Sequence, residues 1–253
     1  MDATRLNDPR ELRWLSVVIP ALNEAGYLGE TLPRLAASIH ALELQGSCQV
    51  EVIVVDNAST DRTAAIARDL GATVIREPIR NIARARNAGA RVARGEALVF
   101  LDADTLMPPT VLPRVASAMS DPLCVGGAVD ARHNASRLWV RLYLRLWRVL
   151  GRLSGMAQGA CQFWRRDEFL GAGGYDEAIY MGEDVEFYWR MARAARQTGQ
   201  KVNYVSDVQV IPSPRRFDRW PFWKILLWTN PLTIAFLRRA KSPWSGWYED
   251  APR

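Results

Sequence analysis

The 253-residue chain predicts an α/β fold built on a mostly parallel, doubly wound sheet with a helical C-terminal appendage, and three observations predict it. Short apolar runs rich in β-formers alternate with stretches of helical periodicity. The run at residues 97–101, Ala-Leu-Val-Phe-Leu, is apolar throughout, as suits a strand buried on both faces. Three runs close on polar residues, at Asn23-Glu24, Asp56-Asn57 and Asp102-Ala103-Asp104, and open sheets of this kind bind ligands at that edge.

Taken in order, residues 14–19 read as the first strand, ended by Pro20. Ala21-Leu22-Asn23-Glu24 leads into a helix reaching Leu42, with Asn23 as N-cap and Glu24 in the first turn, where the dipole favours an acid. Pro33 must lie near a helix start or kink it. Residues 49–55 form the second strand. It closes on Asp56-Asn57-Ala58-Ser59-Thr60-Asp61, where Ser59 or Thr60 can cap a helix that Gly71 stops. Residues 73–76 are a third strand. Asn81 caps a helix over 82–94, stopped by Gly95, whose early face carries Arg84, Arg86 and Asn87. The fourth strand then runs into Asp102 and Asp104. The topology gathers Glu24, Asp56, Asp102 and Asp104 at one crevice with Arg86 nearby. Crowded carboxylates cost several kcal/mol unless a positive partner is present, and hard oxygen donors suit Mg²⁺ or Mn²⁺. Asp-x-Asp alone equally suits a turn before Pro108-Pro109.

A net charge of +6 and a pI near 9.5 fit anionic partners such as nucleotides, phosphates or membrane surfaces. Cys48, Cys124 and Cys161 are scattered and lack metal spacing, reading as buried residues in a reducing compartment. Residues 1–13 are polar, so no secretory signal is expected. No 18-residue uncharged apolar run occurs, so the expected location is cytoplasmic, peripheral on the inner face of the membrane. No Gly-x-Gly-x-x-Gly follows the first strand, and no Gly-Lys-Ser/Thr loop exists, which excludes dinucleotide redox and Walker-type chemistry.

In the second half, the glycine-rich turn 171–174 precedes Tyr175-Asp176 and then Gly182-Glu183-Asp184, which opens a helix to about Arg196. An acidic helix N-terminus needs no catalytic purpose. Between the two acidic centres, Arg137, Arg141, Arg145, Arg148 and Arg152 share one helical stripe, while the other faces are Leu, Val, Trp or Tyr. No acidic residue occurs from Ala131 to Arg166. Three arrangements satisfy this segment: a packed surface helix with solvated arginines, a helix in a membrane interface, or a stripe facing an anionic acceptor. Residues 217–253 repeat the aromatic and basic theme through Trp220, Trp223, Arg238, Arg239, Lys241, Trp244 and Trp247, as a membrane-interfacial segment, a core-capping tail or a dimer contact.

The motifs at 18–24, 54–61, 83–89 (Ala-Arg-Ala-Arg-Asn-Ala-Gly) and 100–104, followed by 173–176 and 182–184, resemble in order the signatures of family 2 glycosyltransferases. The resemblance implies a GT-A fold over residues 1–216, with a donor half at 13–105 and an acceptor half at 106–216. It also implies a nucleotide-sugar donor. By position, Pro20, Ala21, Asn23, Glu24, Asp56 and Asn57 would hold the nucleoside, with Asp56 accepting from the base. Arg86 and Asn87 would lie near the nucleotide or diphosphate. Asp102 and Ala103 would border ribose and metal, and Asp104, with Asp102, would ligate a divalent cation, Mn²⁺ or Mg²⁺. Asp184 would be the general base of an inverting transfer, with Glu183 positioning or tuning it. A carboxylate at Asp56 suits uracil or guanine, with UDP slightly preferred over GDP. The acceptor stays open among glycan, lipid and small molecule.

The sequence departs from processive relatives in lacking Gln-x-x-Arg-Trp, so a single sugar transfer is expected. Segment 211–217 has no histidine where some relatives place a metal ligand, and His40 and His133 read as incidental. A sugar nucleotidyltransferase would need a glycine-rich, arginine-containing loop after strand one. A non-catalytic nucleotide-sugar-binding or membrane-associated protein remains the other rival. Nucleic acid is a poor partner, because the basic residues mix with too many aliphatics.

Overall fold

The first hundred residues follow the predicted alternation in a computed structural model describing residues 12–46, 48–153, 156, 159–229 and 231–240. Strands β1 (Trp14–Ala21), β2 (Gln49–Asp56), β3 (Thr73–Arg76) and β4 (Ala97–Leu101) are separated by α1 (Ala25–Glu43), α2 (Thr63–Asp69) and α3 (Ile82–Val92). After β4 come β5 (Thr105–Leu106), α4 (Val111–Met119), β6 (Cys124–Ala131), α5 (Leu138–Leu153), β7 (Cys161–Arg165) and α6 (Arg166–Gly171). The chain continues as α7 (Glu183–Gln197), β8 (Lys201–Pro212), α8 (Arg215–Arg219), α9 (Phe222–Thr229) and α10 (Pro231–Leu237).

The sheet order is β3-β2-β1-β4-β7-β6-β8-β5. The first four strands are parallel neighbours, while β7 runs antiparallel to both β4 and β6, and β8 runs parallel to β6. Every residue of β4 is fully buried. Ala97, Val99 and Leu101 pack with Leu28 and Leu35 of α1 and Val115 of α4. Leu98 and Phe100 pack in a second cluster with Ala83 of α3, Phe169 of α6 and Phe187 of α7. A strand covered by helices on both faces has no need of polar alternation, which is why this one reads as a continuous apolar run.

Local details correct several expectations. Pro20 does not end β1; pairing with β4 stops at Val18, so the proline lies beyond the part of the strand bonded on both sides. Asn23 is not a helix cap. It adopts a left-handed backbone (φ 55°), and its Oδ1 accepts from the Thr60 N–H at 2.7 Å. The 57–63 loop caps α1 instead: Thr63 Oγ1 accepts from the Glu24 N–H and Asp61 from the Ala25 N–H. Asp61, rather than Ser59 or Thr60, also accepts the Thr63 N–H that opens α2. Pro33 lies inside α1. Asn81 does cap α3, accepting from Arg84 N–H at 2.9 Å, but the helix stops at Val92, ahead of Gly95. A Cβ at Gly95 would press into the Ser16 backbone, so this position joins the helix to β1 at close range.

Helices α9 and α10 pack against α5 and the loop before α7. Ile225 of α9 is buried with Val140 of α5 and Trp220, and Trp139 meets Phe222 edge-on at 4.9 Å. Tyr180 N–H donates to the Arg238 carbonyl at 2.7 Å, which ties the end of α10 to the loop before α7. Lys241, Trp244 and Trp247 lie outside the described residues. The three cysteines are buried free thiols.

Candidate active site

The carboxyl ends of β1, β2 and β4 open into a cavity of about 370 Å³, lined by Pro20, Ala21, Glu24, Asn57, Arg86, Asp102, Ala103 and Asp104. Opposite them stand Glu183 and Asp184 at the start of α7, and Arg215 and Arg216 of α8. Thr229 of α9 and Ile234 of α10 complete the roof. Asn23, Asp56 and Asn87, three of the residues expected to hold donor, stand behind this lining. Asp56 Oδ1 accepts from Ser59 N–H at 3.0 Å and shapes the turn after β2. Asn87 on α3 is turned toward the loop before α7: its Oδ1 accepts from Tyr175 N–H, and its Nδ2 donates to the Tyr175 carbonyl and Glu177. Arg84 and Arg91 pair with the same Glu177, so the polar face of α3 clamps the 173–177 loop. Asn57 lines the cavity while donating to the carbonyls of Glu77 and Ile79.

At the centre lies Arg86, almost wholly buried. Its Nη2 meets Asp102 Oδ1 at 2.7 Å and its Nη1 meets Glu183 Oε1 at 2.5 Å. The Tyr175 ring lies 5.4 Å from the guanidinium carbon. Burial alone would lower the arginine's pKa; the Asp102 and Glu183 carboxylates outweigh it and hold the charge. Burial raises the pKa of Glu183, helped by the neighbouring Asp184 carboxylate and opposed by Arg86. Burial likewise raises that of Asp184, against the pull of Arg86 and of hydrogen bonds from the Val185 and Gly159 backbone. Arg86 takes Glu183 as its ion-pair partner and leaves the half-buried Asp184 facing the cavity. Residue 159 must be glycine, because a Cβ there would overlap the Asp184 carboxylate.

The second basic centre was not singled out from sequence. Strand β5 begins immediately after Asp104 and pairs antiparallel with the end of β8, Thr105 against Pro212. Ser213 N–H donates to the Asp104 carbonyl at 2.9 Å, which brings Arg215 over the acid. Arg215 Nη2 pairs with Glu24 and lies 3.1 Å from Asp104 Oδ2. Burial raises the pKa of Asp104, opposed by Arg215 and Arg216. The only sequence signal was the Pro-Arg-Arg run following a strand, noted there for its missing histidine. His133, set aside as incidental, lines this cavity beside Phe217; His40 sits in α1.

A family model described as "Glycosyl transferase family 2" matches residues 16–171, so the chain belongs to that family, and its fold is GT-A. Among solved structures, a mannosyltransferase from Pyrobaculum calidifontis in complex with GDP-Man and Mn²⁺ is similar with a TM-score of 0.61 and 26% identity. It covers 79% of this chain and 56% of that one. The S. aureus TarS fragment 1–349 in complex with UDP aligns with a TM-score of 0.60 over 80% of this chain and 62% of that one, at 20% identity. The undecaprenyl-phosphate 4-deoxy-4-formamido-L-arabinose transferase of Edwardsiella ictaluri is 33% identical over 143 residues, 54% of this chain and 42% of its own length. A validoxylamine A glucosyltransferase from Streptomyces hygroscopicus is 39% identical over 114 residues, 43% of this chain and 26% of its own. The chain therefore spans less than half the length of these two curated relatives.

Replacing Arg86 by Met should destabilise the fold by about 3–5 kcal/mol, because the buried Glu183 would lose its counter-charge and the partly exposed Asp102 its ion-pair partner. Urea denaturation measures this, and adding Glu183→Gln should recover part of the loss.

Proposed function

We propose that the chain is an inverting glycosyltransferase moving one sugar from a nucleoside-diphosphate sugar to an acceptor hydroxyl or phosphate. The observation that carries this reading is that Asp184 lines the same cavity as Asp102 and Asp104. The nucleoside lies on Pro20, Ala21, Glu24 and Asn57, and the diphosphate lies toward Asp102 and Asp104. Asp184 takes the acceptor proton as the acceptor oxygen bonds to the anomeric carbon, and the bond from that carbon to the diphosphate breaks on the opposite face. Glu183, held by Arg86, positions α7 and keeps a second negative charge beside the base. Residues 1–216 serve as the transferase domain, Thr229 and Ile234 of the C-terminal segment supply its roof, and a membrane-facing role falls to the segment 217–253. A sugar-binding protein without turnover is the rival reading.

Among the described residues no three His, Cys, Asp or Glu side chains converge as a self-sufficient metal cage. Two carboxylates nonetheless fit Mg²⁺ or Mn²⁺, which takes one or two protein carboxylates and completes its shell from substrate phosphates and water. Asp102 and Asp104 would hold it, and it would neutralise charge on the departing diphosphate. Arg215 and Arg216 add fixed positive charge at the same point. Support for the cation comes from the Mn²⁺ in the archaeal mannosyltransferase complex. The nucleotide base stays with uracil or guanine, since the similar structures carry UDP or GDP-Man.

No helix among the described residues is long and apolar enough to cross a membrane. The outward face of α5 carries Leu138, Leu142, Leu146 and Val149, each more than half exposed, and α9 exposes Phe222 and Trp223. We place this face on a membrane surface, where apolar side chains enter the headgroup boundary. The undecaprenyl-phosphate named in the E. ictaluri relative accords with such a location.

Asp184→Asn should lower kcat by about 10²–10⁴-fold while leaving donor binding intact. The base acts ionised and its pKa is raised by burial, so kcat/KM of the wild type should climb with pH through a limb above the ordinary Asp value of about 3.9. That limb should vanish in the variant. Titration calorimetry should find Mn²⁺ binding only with nucleoside diphosphate present, and Asp104→Ala should abolish it. In liposome flotation, Leu142→Ser with Leu146→Ser should release the protein from vesicles that retain the wild type.

A further inference from the structure

Beyond the donor cavity, α5 encloses a second one. At 100° per residue α5 divides into three faces. Val140, Tyr143, Leu144 and Trp147 turn inward, Leu138, Leu142 and Leu146 turn outward, and Arg141, Arg145 and Arg148 form the flank between them. That flank borders a cavity of about 780 Å³. Its floor is the edge of β6 and β8, with Asp130, Tyr204 and Gln209, and Arg132 adds a fourth guanidinium. Asp130, 1% exposed, is the lone carboxylate lining it among the described residues. Arg148 Nε donates to Asp130 at 3.0 Å, as do Tyr204 Oη and Gln209 Nε2 at 2.7 Å each. Asp130 therefore offsets Arg148, while Arg132, Arg141 and Arg145 remain exposed around the space.

The two cavities share a wall. His133, Leu144, Trp147 and Met156 line both, whereas the four arginines line only this one and Asp102, Asp104 and Asp184 only the other.

We infer that the arginine-lined cavity binds a phosphate or diphosphate ester on the acceptor, anchoring it while the acceptor's hydroxyl passes the Leu144–Trp147 wall to Asp184. The inference deepens the transferase reading and rests on it for the hydroxyl's destination. Charge number selects the ligand class: three guanidiniums in excess of the one carboxylate match a diphosphate better than a lone carboxylate. Arginine forks bind phosphate oxygens in pairs. Arg141 and Arg145 sit one helical turn apart, about 6 Å at 1.5 Å per residue, a separation that two linked phosphates span. The volume exceeds that of a phosphate alone and leaves room for a sugar ring. The anion held here is an anchor and not the nucleophile, because the proposed base lies in the other cavity.

The test is calorimetric titration of inorganic pyrophosphate into the full chain with excess UDP and GDP filling the donor site. Wild type should bind, and Arg141→Gln with Arg145→Gln should weaken binding at least about tenfold, with unchanged thermal melting and nucleotide affinity. Arg141→Lys with Arg145→Lys should keep most of the binding. Absence of binding by wild type, or equal binding by wild type and the Gln pair, would overturn the inference. Displacement of pyrophosphate by a hexose phosphate identifies a soluble source, and displacement only by geranyl diphosphate in detergent identifies a lipid one. Sugar transfer without pyrophosphate binding would remove the anchor and leave the transferase reading; pyrophosphate binding without transfer from any donor would do the reverse.

Discussion

A single buried guanidinium organises the centre of this protein. Arg86 comes from α3, in the first half of the chain, yet it closes an ion pair with Asp102 at the end of β4 and another with Glu183 at the start of α7. Each carboxylate would be costly to bury alone, and the arginine would be costly without them. Together they fix the separation between the strand edge and the helix that carries Asp184. The Tyr175 ring lies against the guanidinium and packs in turn with Phe100, Phe169 and Phe187, all four rings meeting at centroid distances of 4.9–5.2 Å.

Much of the first half of the chain was legible because its signals are local. An unbroken apolar run ending in two aspartates names a buried strand and its loop, and Asn81 declares its helix by capping it. Asn23 misled because the same side chain that caps a helix can also bridge loops, and only the 57–63 loop, brought near by β2, decides between the two. Asn87 misled for a similar reason: its partners, Tyr175 and Glu177, lie almost ninety residues away. Arg215 was the least visible. Its meeting with Asp104 depends on a two-residue strand, β5, whose only reason to exist is β8. No periodicity announces a pairing that short.

The family match ends at residue 171, while Glu183, Asp184, Arg215 and the α9–α10 roof lie beyond it. The shared portion thus holds the edge built from β1, β2 and β4. The later elements are built against it through specific contacts, above all Arg86 to Glu183 and Arg215 to Glu24 and Asp104. Positive charge on one side of the cavity is paired with acids on the other at both points. The electrostatics of the two halves are therefore matched to each other across the cavity.

This cross-bracing bears on recombination. A chimera that crosses over between Asp104 and Glu183 would exchange Arg86 and Asp102 without exchanging Glu183, and Glu24 and Asp104 without exchanging Arg215. A crossover placed anywhere between them inherits two unmatched seams. New specificity in this scaffold is more readily grafted onto α5 and the roof, which line the cavity through Leu144, Trp147 and Ile234 and hold no partner of either brace.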